Sequence, residues 1–395
     1  MTTTAIIQAR MGSSRLPGKV LMPLAGKPVL WHIVHRLRKC QTVDSIALAI
    51  TTKPEDDFLQ EFGETEGVAV IRGSEENVLE RYYIAAKELH ADIIVRVTGD
   101  APLIDPAFLD QLVVTLIKKK VDSVRGDPAI PCIHEGFSPF TFNALQKLIT
   151  EAGDDPVARE HVDAYFKCHP DFVPIAVISP SQEYRFSGAR LSVDTPADLR
   201  FLEAIYRRLQ VPPGEADVRD VVMLLRQEPD FLKINAHVYQ KKADEPTRRI
   251  LFRCDADTPV GFASITRCLA LADVLRDTYG YGVTFTKALG SQGFEIVCKS
   301  GFSVELLVLE DEEKSFEKMI NRLTPDVIVL GCRSQFNLES IKKWQDRKIL
   351  IVCIDESMES SHVIDLAVHA GVKDDEIARK IQVLLGDKSY HMLRT

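Results

Sequence analysis

Short apolar runs alternate with stretches of helical period from the first residues of the chain. "TAIIQA" (Thr4 to Ala9) is a buried strand with a glycine-rich turn behind it, and "PVLWHIVHRLRKC" follows with apolar positions at helical spacing. "SIALAITT" is a second strand, ending near Thr52, and "VAVIRG" a third. "NVLERYYIAAKELHA" is helical, and "DIIVRVTGD" is a fourth strand ending at Asp100. "DPAFLDQLVVTLIKKK" is a helix with Asp105 as N-cap and Pro106 at the first helical position. This alternation of strands and helices predicts a doubly wound, mostly parallel α/β sheet. Such sheets bind ligands beyond the carboxyl ends of their strands. The opening loop, Arg72-Gly73-Ser74 and Asp100 all fall at those ends.

The pattern then restarts. Residues 240–248 are polar, charged and interrupted by Pro246, and read as a linker. "ILFRCDA" is another buried strand, followed by Gly261 and the helical "SITRCLALADVLRDTYG". Strands "YGVTFTKA", "SVELLVLE", "DVIVLGC" and "KILIVCID" come after. The expected organisation is a first α/β domain over 1–239, the linker 240–248, and a smaller Rossmann-like α/β domain over 249–395. A chain of 395 residues is too long for one ordinary core, which agrees.

Charge narrows the ligand. The net charge of −8 argues against a general nucleic-acid binder, whereas the stretch Ile6 to Lys19 gathers three cations. A local cationic loop in an acidic protein implies a small anionic ligand. The loop is not a P-loop: five residues separate Gly12 from Gly18, and Val20 stands where a magnesium-binding hydroxyl would follow the lysine. The eight cysteines contain no C-x-x-C pair, so neither a zinc site nor a disulfide framework is expected. No signal peptide or membrane-spanning apolar run is read, and a cytoplasmic protein without a membrane partner is expected.

Arg10, Arg15 and Lys19 on a loop with glycines suit a triphosphate, because cations offset the charge that develops as pyrophosphate leaves. Asp100 ends a strand and is free of the capping role that Asp105 takes, so it suits Mg²⁺ held against phosphate oxygens. Asp194, before a Pro-initiated helix, reads either as that helix's N-cap or as a second metal ligand. Arg96, Arg159 and Arg190 could hold an acceptor carboxylate, or serve as structural ion-pair partners.

"IIQARMGSSRLPGKVLMPLAGKPVL", "VRVTGDAPLID" and "SVDTPADL" together resemble the bacterial cytidylyltransferases that activate acidic sugars, in particular their spore-coat polysaccharide branch. The resemblance runs from about Thr3 to Leu209. It implies a nucleotidyltransferase-type mixed sheet, CTP as donor, an acidic ulosonic or nonulosonic sugar as acceptor, Mg²⁺ as cofactor and a homodimer. It places Arg10, Ser14, Arg15 and Lys19 on the triphosphate, Arg72, Gly73 and Ser74 around the base, and Asp100 and Asp194 on metal. "REHVDAYF" resembles the branch's "REHVT" segment, which puts Arg159, Glu160 and His161 at the acceptor site. Ala101 and the loose "HEGFSPF" segment depart from the family pattern.

The second domain resembles the first half of nucleotide-sugar hydrolases that make nonulosonic acid precursors. Arg253, Asp255, Gly261, Arg267, Cys268, Leu269, Leu271 and Ala272 match their motif. Ala263 and Ser264 stand where Gly-His is expected, so a non-catalytic domain is the reading. A bifunctional transferase and hydrolase, or a non-catalytic nucleotide sensor, are the alternatives.

Overall fold

The structure is a computed structural model. It describes residues 1–134, 136–240, 247–254, 262–288, 292–307, 311–331, 336–354, 365–368 and 373–386. Of the expected linker, 241–246 lie outside the described residues, as do Asp255, Gly261, Cys332, Asp355 and His362. The chain divides into two compact units. The first holds 1–13 and 18–237, and the second holds 14–17, 238–240 and the described residues from 247 onward.

The first unit is built on a seven-stranded sheet. Its strands are β1 (Thr3–Gln8), β2 (Ser45–Thr51), β3 (Ala69–Gly73), β4 (Ile93–Thr98), β5 (Ser123–Gly126), β6 (Phe137–Thr141) and β7 (Ile175–Ile178). They lie in the order β3-β2-β1-β4-β6-β5-β7. All pairings are parallel except those of β6, which runs antiparallel to both β4 and β5. The sheet is therefore mixed and mostly parallel, as expected. Successive residues of β1 supply opposite cores. Ala5 and Ile7 pack with Leu30, Ile33, Leu109 and Leu112, while Ile6 packs with Leu79, Tyr82 and Leu145. Apolar side chains on both faces are what a sheet covered by helices requires.

Helices α1 (Val29–Leu37), α2 (Asp57–Glu66), α3 (Val78–Glu88), α4 (Pro106–Lys119), α5 (Phe142–Ala152), α6 (Pro156–His161), α7 (Asp163–Cys168), α8 (Pro196–Leu209) and α9 (Val218–Gln227) belong to this unit. Asp105 caps α4 by accepting the Phe108 amide at 2.7 Å. The chain leaves β1 toward β2 and β3, then crosses to β4 on the other side. That reversal opens a crevice at the carboxyl ends of β1 and β4, where ligands of open α/β sheets bind.

The second unit carries a six-stranded sheet of β8 (Arg249–Cys254), β9 (Gly282–Ala288), β10 (Ser303–Leu307), β11 (Val327–Gly331), β12 (Leu350–Ile354) and β13 (Leu366–Val368). The order is β10-β9-β8-β11-β12-β13 and every pairing is parallel. Phe252, Phe285 and Leu271 lie in one apolar core, and Phe316, Ile328 and Trp344 lie in another.

Candidate active site

The site grows from the ends of β1 and β4. Behind β1 the chain folds on itself, with the Ser13 and Gly18 amides both donating to the Met11 carbonyl at 2.9 Å. Gly18 is left-handed (φ 68°) and starts a single 3₁₀ turn, Lys19–Leu21. Asp56 anchors the loop from below: its buried carboxylate accepts from the Met11 amide at 2.7 Å and from the Thr51 amide at 2.9 Å and hydroxyl at 2.5 Å. Behind β4, the Gly99 amide donates to the Gln8 carbonyl at 2.9 Å. A Cβ at Gly99 would sit 2.8 Å from that same oxygen, so this close approach requires glycine. Asp100 follows directly.

Lys19 then joins three segments that are far apart in sequence. Its Nζ donates to Asp100 Oδ2 at 2.6 Å and to Asp194 Oδ1 at 2.7 Å. The Val193 amide donates to the Asp100 carbonyl at 2.8 Å, which ties the two acidic segments together. Arg190 Nη2 pairs with Asp194 Oδ2, and its Nε lies 3.5 Å from Asp198 Oδ1. Burial by itself would raise the Asp100 carboxyl. The Lys19 ammonium outweighs it, helped by the Thr98 hydroxyl and Arg190, and holds Asp100 below the usual carboxylate range.

The N-cap of α8 is Thr195, not Asp194. Thr195 Oγ1 accepts the Asp198 amide, and Asp198 accepts the Thr195 amide at 2.9 Å, a complete capping box. Asp198 also accepts the Asp194 amide at 3.0 Å and the Asn235 side chain at 3.1 Å. The Asp194 carboxylate does not cap the helix and pairs with Lys19 and Arg190.

Other expected site residues are placed as follows. Arg10 lies 3.8 Å from Glu75. Ser14 and Arg15 group with the second unit, where Arg15 Nη1 donates to the Tyr239 carbonyl at 3.3 Å. Arg72, on β3, is turned toward the end of β2 and α2: it donates to the Thr51 and Lys53 carbonyls at 2.9 and 2.8 Å, to Asp57 at 2.6 Å and to Gln60 at 3.2 Å. Gly73 closes β3, its carbonyl accepting the Thr52 amide at 3.1 Å, and Ser74 is the next residue. Arg96 is buried against Asp163 at 2.8 Å, and Lys167 reaches the same carboxylate at 2.7 Å. Burial would raise Asp163, but Arg96 and Lys167 hold it at about 2. Arg159 sits on α6 and lines a cleft of about 440 Å³ with Asn77, Thr150, Asp155 and Tyr165. Glu160 is exposed on the same helix and His161 is partly buried at its end.

Asp56, Asp198 and Arg81 escape the sequence reading. For Asp198 the signal was legible, a Thr three residues ahead of an acid with Pro at the first helical position. Asp56 and Arg81 carry no periodic signal. Among the described residues no group of three or more His, Cys, Asp or Glu could hold a metal ion, so Asp100 and Asp194 stand as a pair. No helix among the described residues is long and apolar enough to cross a membrane.

A family model described as Cytidylyltransferase matches residues 4–264. The chain is 31% identical over 231 residues to the spore coat polysaccharide biosynthesis protein SpsF of Bacillus subtilis, covering 57% of this chain and 94% of that protein. It is 34% identical over 143 residues to a 3-deoxy-manno-octulosonate cytidylyltransferase of Trichlorobacter lovleyi, covering 35% of this chain and 55% of the relative. The solved structure of a cytidylyltransferase from Leptospira borgpetersenii matches with a TM-score of 0.54 at 29% identity, over 61% of this chain and all of that one.

Proposed function

The chain belongs to the cytidylyltransferase family, and on that premise we propose that it transfers CMP from CTP to an acidic sugar of the ulosonic class, releasing pyrophosphate, for surface glycan synthesis. The observation that carries this reading is the convergence of Lys19, Asp100 and Asp194 at the reversal of the sheet.

The donor set suits a divalent cation. Two carboxylates already meet on one positive charge, and Mg²⁺ prefers one or two carboxylates with phosphate oxygens and water. Held by Asp100 and Asp194, the ion would supply Lewis-acid polarisation of phosphate oxygens. Lys19, fixed on its 3₁₀ turn, offers a compact ammonium to the phosphates, and Arg10 extends the positive charge along the loop. Fixed cations of this kind stabilise the charge that grows on departing pyrophosphate without reorganising. The acceptor oxygen attacks the α-phosphorus in line, and positioning of the two substrates lowers the barrier. Arg96 and Arg190 are already paired with acids, so the acceptor carboxylate falls to Arg159 in its cleft.

The cytidylyl unit spans 1–239, and the second domain, 249–395 behind the linker 240–248, is non-catalytic in this reading. Ser264 stands where the hydrolase resemblance asks for histidine, and its hydroxyl donates to the Gly331 carbonyl. Arg253 is paired with Glu312 at 2.7 Å.

The test is pyrophosphate release with CTP, UTP, GTP and ATP at millimolar Mg²⁺, each against a panel of acidic sugars and sugar phosphates. Release with CTP and an acidic sugar is expected. Release with UTP or GTP but not CTP would sink the cytidylyl assignment.

A further inference from the structure

Three long side chains meet over the loop behind β1. Arg10, Lys53 and Glu75 each stand two residues past the carboxyl end of a strand, β1, β2 and β3 in turn, and these strands are neighbours in the sheet. Glu75 Oε2 accepts from Lys53 Nζ at 2.6 Å, and Glu75 Oε1 lies 3.8 Å from Arg10 Nη1. A Cβ at Gly12 would stand 3.8 Å from that same Oε1 and 2.9 Å from Glu55 Oε1. Carboxylate oxygens therefore cover the face of Gly12, in a loop whose glycine and cations suit an incoming anion. The Lys53 backbone is fixed, its amide donating to Thr51 Oγ1 at 3.2 Å and its carbonyl accepting from Arg72 at 2.8 Å. The side chains are not: Arg10 is 47% exposed, Lys53 46% and Glu75 29%. Ion pairs this exposed add little to stability. Glu75 does not cap α3 either, since Asn77 does so by accepting the Glu80 amide at 3.0 Å.

We propose that Glu75 is a displaceable counter-anion of the nucleotide site, holding Arg10 and Lys53 when no phosphate is bound and yielding both to the phosphates of CTP. The inference rests on the nucleotidyl-transfer reading above. It adds Lys53, from the end of β2, to the cations of the triphosphate. A triphosphate carries several negative charges against the single charge of Glu75, so the exchange of partners favours the nucleotide. The displaced carboxylate stays beside the polyanion and repels it. That repulsion matters most for pyrophosphate, which must leave after transfer. Glu75 returns to Lys53 and Arg10 as pyrophosphate departs, and so keeps affinity for this product low.

Calorimetry on the full chain with Mg²⁺, using CTP and inorganic pyrophosphate, tests this in the parent, Glu75→Gln, Lys53→Met and the double variant. Glu75→Gln keeps the size and removes the charge, so both ligands should bind about tenfold tighter. The gain should shrink at high salt, as a charge effect between exposed groups does. Lys53→Met should bind both ligands about tenfold weaker. Glu75→Gln should gain less in the Lys53→Met background, because one of the cations it would release is gone. Unchanged or weaker binding in Glu75→Gln overturns the inference, and weakening seen only with Mg²⁺ would make Glu75 a metal ligand instead. An equal gain in both backgrounds also overturns it, since Glu75 would then act without Lys53. A parent that prefers UTP or GTP to CTP overturns the cytidylyl reading alone, because the pyrophosphate comparison still stands. A parent that binds no pyrophosphate overturns both.

Discussion

Lys19 carries the local charge balance of the site. Its ammonium lies between Asp100 and Asp194, and Arg190 offsets the second carboxylate from its other side. Asp100→Asn changes charge and not volume, so it should abolish pyrophosphate release and leave the circular dichroism spectrum intact. Lys19→Met should act on stability as well as on turnover. With the cation gone, two little-exposed carboxylates face each other, a defect on the order of 3 kcal/mol. If Mg²⁺ occupies the same position, millimolar Mg²⁺ should raise the melting temperature of Lys19→Met by more than that of the parent. Equal shifts in the two proteins would show that the ion sits elsewhere. The loop cations and Asp100 were legible because glycine, cation and strand end coincide in one short stretch. The bridge itself was not, since Lys19 is 81 residues from Asp100 and 175 from Asp194. Periodicity is a local signal and carries no information over that range.

The same limit and its exception show at the level of elements. In "SVDTPADL" Asp194 reads as a possible cap, but the structure gives that role to Thr195, and the proline is the reason. Pro196 takes the first helical position, so the residue before it caps, and Asp198 at the third completes the box. Thr195→Ala should therefore cost about 1 kcal/mol in urea unfolding. Asp198→Ala should cost more and also slow turnover, because it frees the Asp194 amide and removes the carboxylate 3.5 Å from Arg190. Equal costs, with turnover untouched in both variants, would mean that Asp198 serves the helix alone. The long strands β1, β2 and β4 were readable as apolar runs. β6 was not: it has five residues, and Pro139 sits inside it although β4 and β5 flank it. Proline is normally evidence against an interior strand. Here the antiparallel ladder tolerates it, with the Pro139 carbonyl accepting the Ser123 hydroxyl at 3.3 Å.

At the scale of the whole chain, both α/β units were legible because strand and helix alternate twice, with a polar break between. What the second unit does was less so, since Asp255 and Gly261 of its motif lie outside the described residues. Its non-catalytic reading predicts no UDP release from acetamido-sugar UDP substrates. Release that vanishes in Arg253→Ala would make the chain bifunctional. Acid stability tests a different property, the burial of neutral histidines. His32 is fully buried, with Nε2 against the Leu24 carbonyl at 2.8 Å and Nδ1 accepting the Gly214 amide at 3.1 Å, and burial lowers it from 6.5 to about 4. His134 stacks on Phe108 at 4.1 Å between ring centroids, and burial lowers it from 6.5 to about 3. In both cases the unfolded chain takes up its proton first as pH falls. Their contribution is therefore complete above pH 6.5 and is lost progressively as pH drops toward 4 and 3. Asp163, held at about 2 against 3.8, adds a loss that begins only below about pH 4. His134→Phe keeps an aromatic ring in the stack and removes one titration. Unfolding free energies at pH 7, 6, 5 and 4 should then fall less steeply in the variant, by up to about 1.4 kcal/mol per pH unit. The difference should appear below pH 6.5, where free histidine charges, and be absent at pH 7. Parallel acid limbs in the two proteins would mean that His134 titrates in the folded protein as it does in the unfolded chain.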